Sequence, residues 1–388
     1  MPRLEKLNIK NFRILQDVKL GPLEPFTVFL GPNGAGKTTL FQVLGFLANC
    51  LNTNVRTAVE AQGGFEEVRS REQTGPIQIE VKYRSRGSDP LLTYSLTISE
   101  ANGQPAVARE VLKWRRGSRG KPYHFLDFAH GRGWAIAGRG ELPEEKRTEQ
   151  ELDDPTILAV KGLGQMAAYP MVADFRKFIE GWYLSYFMPT RAREVPEVGV
   201  ATHLSQTGDN LALVTKYLYE KHRGTFDKVL QRLTRRIPGL QRVEARPTED
   251  GRVVLRFKDR LFNEPFVARF VSDGTIRMFA YLVLLNDPEP PPLLCIEEPE
   301  NQLHPKLLQI LSEEFRVHSA RTQVLVSSHS PYFVNALRPE ELWWIQRDAS
   351  GYAKVQSARK VQGVPDFVAE GLPLGDLWVQ GHLGGGNP

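Results

Sequence analysis

Cysteine is nearly absent from the 388-residue chain, which has only Cys50 and Cys295, each among apolar neighbours. Two thiols cannot build a disulfide framework or a four-cysteine zinc site, so both are read as buried free thiols. Apolar runs are short. None reaches the roughly 18 residues a membrane-spanning helix needs, and the opening MPRLEKLNIKNFR lacks the apolar core of a signal peptide. A cytoplasmic chain with no membrane partner is expected. Internal repeats, low-complexity blocks and long heptad runs are also missing, which excludes a solenoid and an extended coiled-coil arm. Nor is one charge in large excess. Fifty Lys and Arg against 45 Asp and Glu leave +5, enough to admit a polyanionic partner without naming one. What is present is ordinary globular composition, 41% hydrophobic and 24% charged, at a length that suggests two or three domains.

Residues 4–30 read as two strands about a turn at Gly21-Pro22. The second strand is the continuous apolar run Phe26–Leu30, which suits burial on both faces. Leu40, Val43, Leu44 and Leu47 then follow at helical spacing. From about 75 to 138 apolar and polar residues alternate, as in Ile77, Ile79, Val81 and Tyr83, then Leu92, Tyr94, Leu96 and Ile98. Turn residues at 86–90 separate the two runs, predicting an antiparallel β region. Residues 141–188 read as mainly helical and 209–237 as one or two amphipathic helices, with strands at 253–257 and 266–270. The last third alternates: helix 275–285, strand 293–296, helix 306–317, strand 323–326, helix 331–337 and strand 342–345. That rhythm predicts an α/β fold with a mostly parallel sheet. The Gly-rich end GHLGGGNP reads as a flexible tail.

Gly31-Pro32-Asn33-Gly34-Ala35-Gly36-Lys37-Thr38 matches the P-loop pattern G-x-x-x-x-G-K-[ST] and lies between a buried strand and a helix, the context the motif requires. Its glycines let the backbone curl around phosphate oxygens with N–H groups pointing inward. Lys37 can reach the β and γ phosphates, the Thr38 hydroxyl can bind magnesium, and the helix start adds a positive end. Asn33, Gly34, Ala35, Gly36, Lys37, Thr38 and Thr39 are therefore candidate phosphate-binding residues. The strand Leu293–Ile296 delivers Glu297 and Glu298 at its C-terminal end. There Glu297 would hold magnesium, directly or through water, and Glu298 would orient or polarise an attacking water. Taken alone, two acids after a strand also read as helix caps; beside a P-loop they complete a phosphate-transfer site. Upstream, Val271-Ser272-Asp273-Gly274-Thr275 opens an apolar helix, and Ser272 and Asp273 are equally good N-cap residues. His329, in Ser327-Ser328-His329-Ser330-Pro331, follows the next strand, where a γ-phosphate contact would be needed.

In order, LNIKNFRILQDV, the P-loop, VSDGTIR, LLCIEEPENQLHP and QVLVSSHSP resemble the ABC-type ATPases of the RecF, SMC and OLD group. The resemblance runs from residue 4 to about 347 and is loosest in the middle. It implies a P-loop ABC-type ATPase head with a mixed sheet, an antiparallel β subdomain and a helical insertion, using ATP and Mg2+. The implied layout is 1–74 and 266–347 as two parts of one ATPase domain, 75–140 as the β subdomain, 141–265 as a mainly helical insertion or lid, and 348–388 as an extension. Ser272, Asp273 and Gly274 are similar to the signature loop, which meets the nucleotide held by a second copy, so that two chains enclose two ATP molecules head to tail. Glu298 resembles the catalytic glutamate, His329 the switch histidine, Pro299 to His304 the dimer-contacting loop, and Arg13 a residue near the nucleotide. Lys37 would join Glu298 and His329 in catalysis. Glu297 stands where the family more often has aspartate, and Asp273 where it more often has glycine. Gln62 and Gln73 both fit the glutamine loop.

OLD-type relatives carry a TOPRIM nuclease, which needs a glutamate and a D-x-D pair. Downstream of His329 stand Asp366, Glu370 and Asp376 without a D-x-D, so a nuclease or effector acting in trans is expected. The resemblance implies anti-phage defence, with recombinational repair and a transporter's nucleotide-binding subunit as alternatives. Two stretches concentrate the positive charge. Residues 113–121 hold five cations and no acid, and 216–246 hold nine cations against three acids. Either could meet DNA phosphates or be a solvated face. Arg191 and Arg193 in PTRARE fit a nucleotide contact, a partner contact or a surface loop.

Overall fold

The computed structural model describes residues 2–87, 89–114, 122–139 and 147–383. Most of the basic stretch 113–121 and the end of the Gly-rich tail lie outside the described residues. The chain forms two compact units, Met1–Trp182 with Arg338–Pro388, and Tyr183–Leu337.

The first unit holds an eight-stranded antiparallel sheet. Its spatial order is Leu15–Leu20, Arg3–Phe12, Ile77–Arg84, Leu92–Ala101, Gln104–Trp114, Tyr123–Ala129, Arg132–Ile136 and Arg147–Glu151. Register places Ile79 opposite Leu96 and Val81 opposite Tyr94, so the alternating apolar residues share one buried face. Helix Pro170–Glu180 covers part of that face. Its Phe175 ring lies 4.5 Å from Tyr94, and its Phe178 ring stacks on Tyr83 at 4.9 Å.

Two expectations are corrected here. Residues 4–30 form three strands, because Arg3–Phe12 turns back on Leu15–Leu20 before Gly21 is reached. The turn uses Asn11 and Arg13 in the left-handed region, φ 57° and 48°, so no glycine or proline announces it. Residues 141–188 are not mainly helical either. Arg147–Glu151 is an edge strand whose side chains are all polar, and it is held by an Arg132–Glu151 ion pair at 2.7 Å and by Arg147 over the Trp134 ring. Without an apolar face, such a strand has no period to read. Among the described residues there the helices are Ala159–Leu163 and Pro170–Glu180.

A second set of strands in this unit frames the P-loop. Phe26–Leu30, buried at every position, pairs in parallel with Leu342–Arg347, which pairs antiparallel with Ala353–Ser357. The sheets are thus both antiparallel and parallel.

In the second unit Leu293–Glu297 runs parallel to Gln323–Ser328, joined through helix Pro305–His318. Helix Asp273–Leu285 is buried along most of its length. Helices Leu211–Lys221 and Arg223–Arg236 accompany a three-stranded sheet of Leu240–Pro247, Val253–Asp259 and Phe266–Val267. The strand expected at 266–270 therefore ends after two residues and becomes the tight turn Ala268–Phe270. Likewise the expected helix 331–337 is only Pro331–Val334; Arg316 donates to the Ala336 carbonyl just beyond it.

Glu110 is a fully buried carboxylate in the first unit. It accepts the Tyr94 hydroxyl at 3.0 Å and the backbone N–H groups of Ala159 and Val160 at 2.5 and 3.0 Å. These bonds serve the start of a helix with no side-chain cap of its own. Burial nevertheless dominates and pushes the carboxyl up to about 7, from an ordinary 4.5. A raised folded-state value means that the folded chain holds this proton more tightly than the unfolded chain does. The group's contribution is therefore fullest below about 4.5 and is lost as pH rises to about 7. Denaturant titrations across that window should show Glu110→Gln losing less stability with rising pH than the parent. Equal slopes would contradict the assignment.

Candidate active site

In the first unit the strand Phe26–Leu30 runs directly into the P-loop, and helix Lys37–Asn52 starts on the loop's last glycine. Gly34 and Gly36 are left-handed, with φ 75° and 113°. Gly31 is required for a different reason: a Cβ there would stand 2.2 Å from the Ile345 carbonyl oxygen on the neighbouring strand. Ala35 N–H donates to the Pro32 carbonyl at 3.2 Å and closes the curl. Lys37 is buried, and its ammonium donates to the carbonyls of Gly31 and Pro32 at 2.8 and 3.1 Å. No side chain caps the helix start. Asn33, Gly34 and Thr38 are exposed, Thr39 is half-buried, and Ala35 and Gly36 are buried.

Arg13 packs beside this helix. Its guanidinium donates to Gln42 Oε1 at 2.5 Å and to Gln62 Oε1 at 2.6 Å. Gln73 instead donates to the Tyr352 hydroxyl at 3.1 Å. Of the two glutamine-loop candidates, Gln62 is therefore the one that shares Arg13 with the P-loop helix. Arg347, not singled out by the sequence, donates from Nε to the Gly34 carbonyl at 2.8 Å. It arrives there because its strand lies alongside Phe26–Leu30, a pairing between distant segments that no local pattern encodes.

The acids, His329 and the signature turn lie in the second unit. Glu297 ends its strand half-buried. Glu298 is left-handed at φ 42° and donates its N–H to the Ser327 carbonyl at 2.9 Å. Its Oε2 accepts from Asn301 at 3.1 Å, and Oε1 lies 3.3 Å from His329 Nδ1 without a hydrogen bond between them. A non-glycine residue in this backbone region is strained, and such strain persists where the surroundings fix it. Glu300 is the residue that sequence reasoning missed. It is buried, and its Oε1 accepts the Ser328 hydroxyl at 2.7 Å and the His329 N–H at 2.8 Å. Burial raises its carboxyl and those hydrogen bonds oppose the shift. One imidazole nitrogen thus faces two carboxylates, with Glu300 Oε1 at 3.5 Å.

Ser272 caps helix Asp273–Leu285, accepting from the Thr275 N–H at 3.3 Å with the Thr275 hydroxyl at 2.9 Å. A Cβ on Gly274 would meet the Gln302 carbonyl at 2.6 Å, so the signature turn and the Pro299 to His304 loop touch. Arg193 pairs with Asp273 at 2.5 Å, whereas Arg191 is exposed beside Glu194. The basic stretch 216–246 is partly paired: Lys216, Arg223, Arg232, Arg236, Arg242 and Arg246 have carboxylate partners, Glu314 and Glu244 each serving two of them. Glu314, from a separate helix, takes both Arg232 and Arg236.

Among the described residues no cluster of three or more His, Cys, Asp or Glu side chains could by itself hold a metal. A magnesium ion carried by a nucleotide needs only one or two protein oxygens, since phosphates and waters supply the rest. Thr38 and Glu297 are oxygen donors of that kind. No helix among the described residues is long and apolar enough to cross a membrane.

The uncapped helix behind a glycine cradle, with strand-end acids and a histidine just past the next strand, defines the class of P-loop ABC-type heads. Residues 26–335 match the family described as "AAA domain, putative AbiEii toxin, Type IV TA system", and the chain belongs to that family. Over 96 residues it is 34% identical to an OLD nuclease of Thermus scotoductus, covering 24% of this chain and 17% of that protein. Over 58 residues it is 36% identical to structural maintenance of chromosomes protein 1 of Schizosaccharomyces pombe, 15% of this chain and 5% of that protein. The chain therefore matches only a small part of either relative. Its architecture is similar to an Smc head bound to the C-winged helix domain of ScpA, with TM-score 0.52 at 12% identity, covering 91% of this chain and 96% of that one. An Smc head with an extended coiled coil, bound to the C-terminal domain of ScpA and derived from Pyrococcus furiosus, gives TM-score 0.50 at 12% identity over 95% and 100% of the two chains. At that identity the likeness shows the fold alone, and the fold is that of an ABC-type head of the SMC and OLD kind.

The Gly31 contact is directly testable. Gly31→Ala should lower stability by about 1–3 kcal/mol, because the obstacle is backbone and cannot swing away. Gly224→Ala, on a helix with nothing within 4 Å of the added carbon, should be neutral or slightly stabilising. Urea midpoints check both, and an unaffected Gly31→Ala would contradict the packing.

Proposed function

We propose that the chain binds ATP with Mg2+ at Gly31 to Thr39 and hydrolyses it, pairing with a second copy through Ser272, Asp273 and Gly274. The observation that carries this reading is the buried Lys37 ammonium, held by the loop's own carbonyls at an uncapped helix start. Lys37 and the loop amides would hold the β and γ phosphates. Thr38 and Glu297 would hold the magnesium ion, which neutralises phosphate charge when bound. Glu298 accepts the proton of the attacking water. Its carboxylate is already aimed, with Asn301 on one oxygen and His329 on the other, so little reorientation precedes reaction. His329 serves as the link between Glu298 and Glu300.

The wider role we propose is anti-phage defence in the cytoplasm, with a nuclease or effector acting in trans. Similarity to an OLD nuclease supports it. So does the placement of Asp366 and Asp376 on separate short helices, a poor start for a metal pair. Any DNA contact is assigned to the basic stretches 113–121 and 216–246, the latter with six of its nine cations paired to carboxylates.

Phosphate release and nucleotide titration test the core of this reading. Lys37→Ala should abolish ATP binding. Glu298→Gln should keep binding and lose turnover by about 100-fold or more, the usual scale for a general base. Light scattering should show the Glu298→Gln chain doubling in mass with ATP. Wild-type turnover in Glu298→Gln would remove the catalytic assignment.

A further inference from the structure

Asp273 sets a carboxylate between Ser272 and Gly274, the two positions proposed to meet the γ-phosphate of the opposite copy. Two anions at close range in a partly desolvated site repel strongly. Helix geometry explains part of the choice, because an acid in the first turn complements the positive helix end. It does not explain how a phosphate could then approach.

Arg193 supplies the missing charge. Its Nη2 lies 2.5 Å from Asp273 Oδ1 and also donates to the Val271 carbonyl at 2.6 Å. Its Nε donates to the Ala268 carbonyl at 3.2 Å. One planar guanidinium therefore grips the turn Ala268–Phe270, the residue before Ser272 and the acid after it. The side chain is only 16% exposed, while Asp273 is 38% exposed. Arg191, two residues earlier, points to Glu194 and takes no part. Behind the turn, Gly274 is pressed against the Gln302 carbonyl, and Arg277 reaches Gln302 Oε1 at 3.4 Å. The signature turn is thus held from two sides, and only on the Arg193 side is a formal charge cancelled.

We propose that Arg193 is the positioning residue of the signature turn: it cancels the Asp273 charge and fixes the backbone so that Ser272 and Gly274 can accept a phosphate from a second copy. The proposal rests on the pairing reading above. Lysine would replace the charge but not the fork, since an ammonium cannot make three fixed, planar contacts.

The test uses the full chain in the Glu298→Gln background, which keeps ATP uncleaved. ATP affinity is read with a fluorescent nucleotide analogue, and pairing by light scattering over a protein concentration series. Arg193→Ala should keep ATP affinity while weakening ATP-dependent pairing roughly ten- to a hundredfold, the worth of charge-assisted hydrogen bonds. Adding Asp273→Asn to Arg193→Ala should recover pairing, because the uncompensated charge is gone. Should Arg193→Ala fail to fold by circular dichroism, Arg193→Lys and Arg193→Gln separate charge from shape. Lys should then pair more tightly than Gln, and the gap should shrink with added salt. Undiminished pairing in Arg193→Ala, no recovery in the double variant, or equal pairing of Lys and Gln would overturn the proposal. Ser272→Arg isolates the reading beneath it: blocked pairing supports the signature interface, and normal pairing overturns that reading whatever Arg193 does.

Discussion

Where the strand Phe26–Leu30 lies beside Leu342–Arg347, the backbones at Gly31 and Ile345 approach so closely that no side chain fits between them. This contact decides where the P-loop can run. The chain must leave the strand at that point, so the left-handed Gly34 and Gly36 turn it back and helix Lys37–Asn52 begins with its N–H groups uncapped by any side chain. Lys37 then has its own loop carbonyls as partners, a cation held in place before any anion arrives. The same strand pairing brings Arg347 to the Gly34 carbonyl. A segment more than three hundred residues away in sequence thereby braces the loop, and the first unit is one fold only because the chain returns to it after the second.

In the second unit the governing feature is a chain of polar contacts that leaves each candidate group with a fixed direction. Asn301 and His329 flank Glu298, Glu300 ties His329 to Ser328, and Gln302 of the same loop rests on Gly274. Residues 299–304 and the turn at 272–274 are therefore in direct contact within this unit. The network is not fully satisfied, since Glu300 Oε2 and His329 Nδ1 have no hydrogen-bond partner among the described residues. Glu300 shows the balance: burial disfavours its charge and raises its carboxyl, and two donors oppose that shift without cancelling it. Placing strained backbone at Glu298 inside that network is consistent with a carboxylate that must be aimed rather than mobile.

The contrast between what could and could not be read from sequence follows contact range. The P-loop, the acidic strand end and the histidine are contiguous motifs whose function depends on local backbone and residue type, so they were legible, as was the alternating β region. Arg193 was noticed without a settled role, and Glu300 and Arg347 were not singled out, because each acts through a partner on a separate element. The hairpin at 11–14 escaped notice because its turn uses Asn11 and Arg13 in place of glycine. The strand Arg147–Glu151 escaped because a polar edge strand has only one neighbour and no buried face. Charge pairing was hidden for a related reason: two arginines of the basic stretch 216–246 share Glu314, far along the chain.

The central claim is that the amides of the P-loop and the first helical turn form an anion cradle for a nucleotide. Hydrogen–deuterium exchange of the intact chain, with and without ATP and Mg2+, tests this at the atoms concerned. The account predicts slowed exchange at the amides of Gly34 through Thr39 on adding the nucleotide, lost in Lys37→Ala. Unchanged exchange at these amides under saturating nucleotide, or protection confined to other segments, would contradict it.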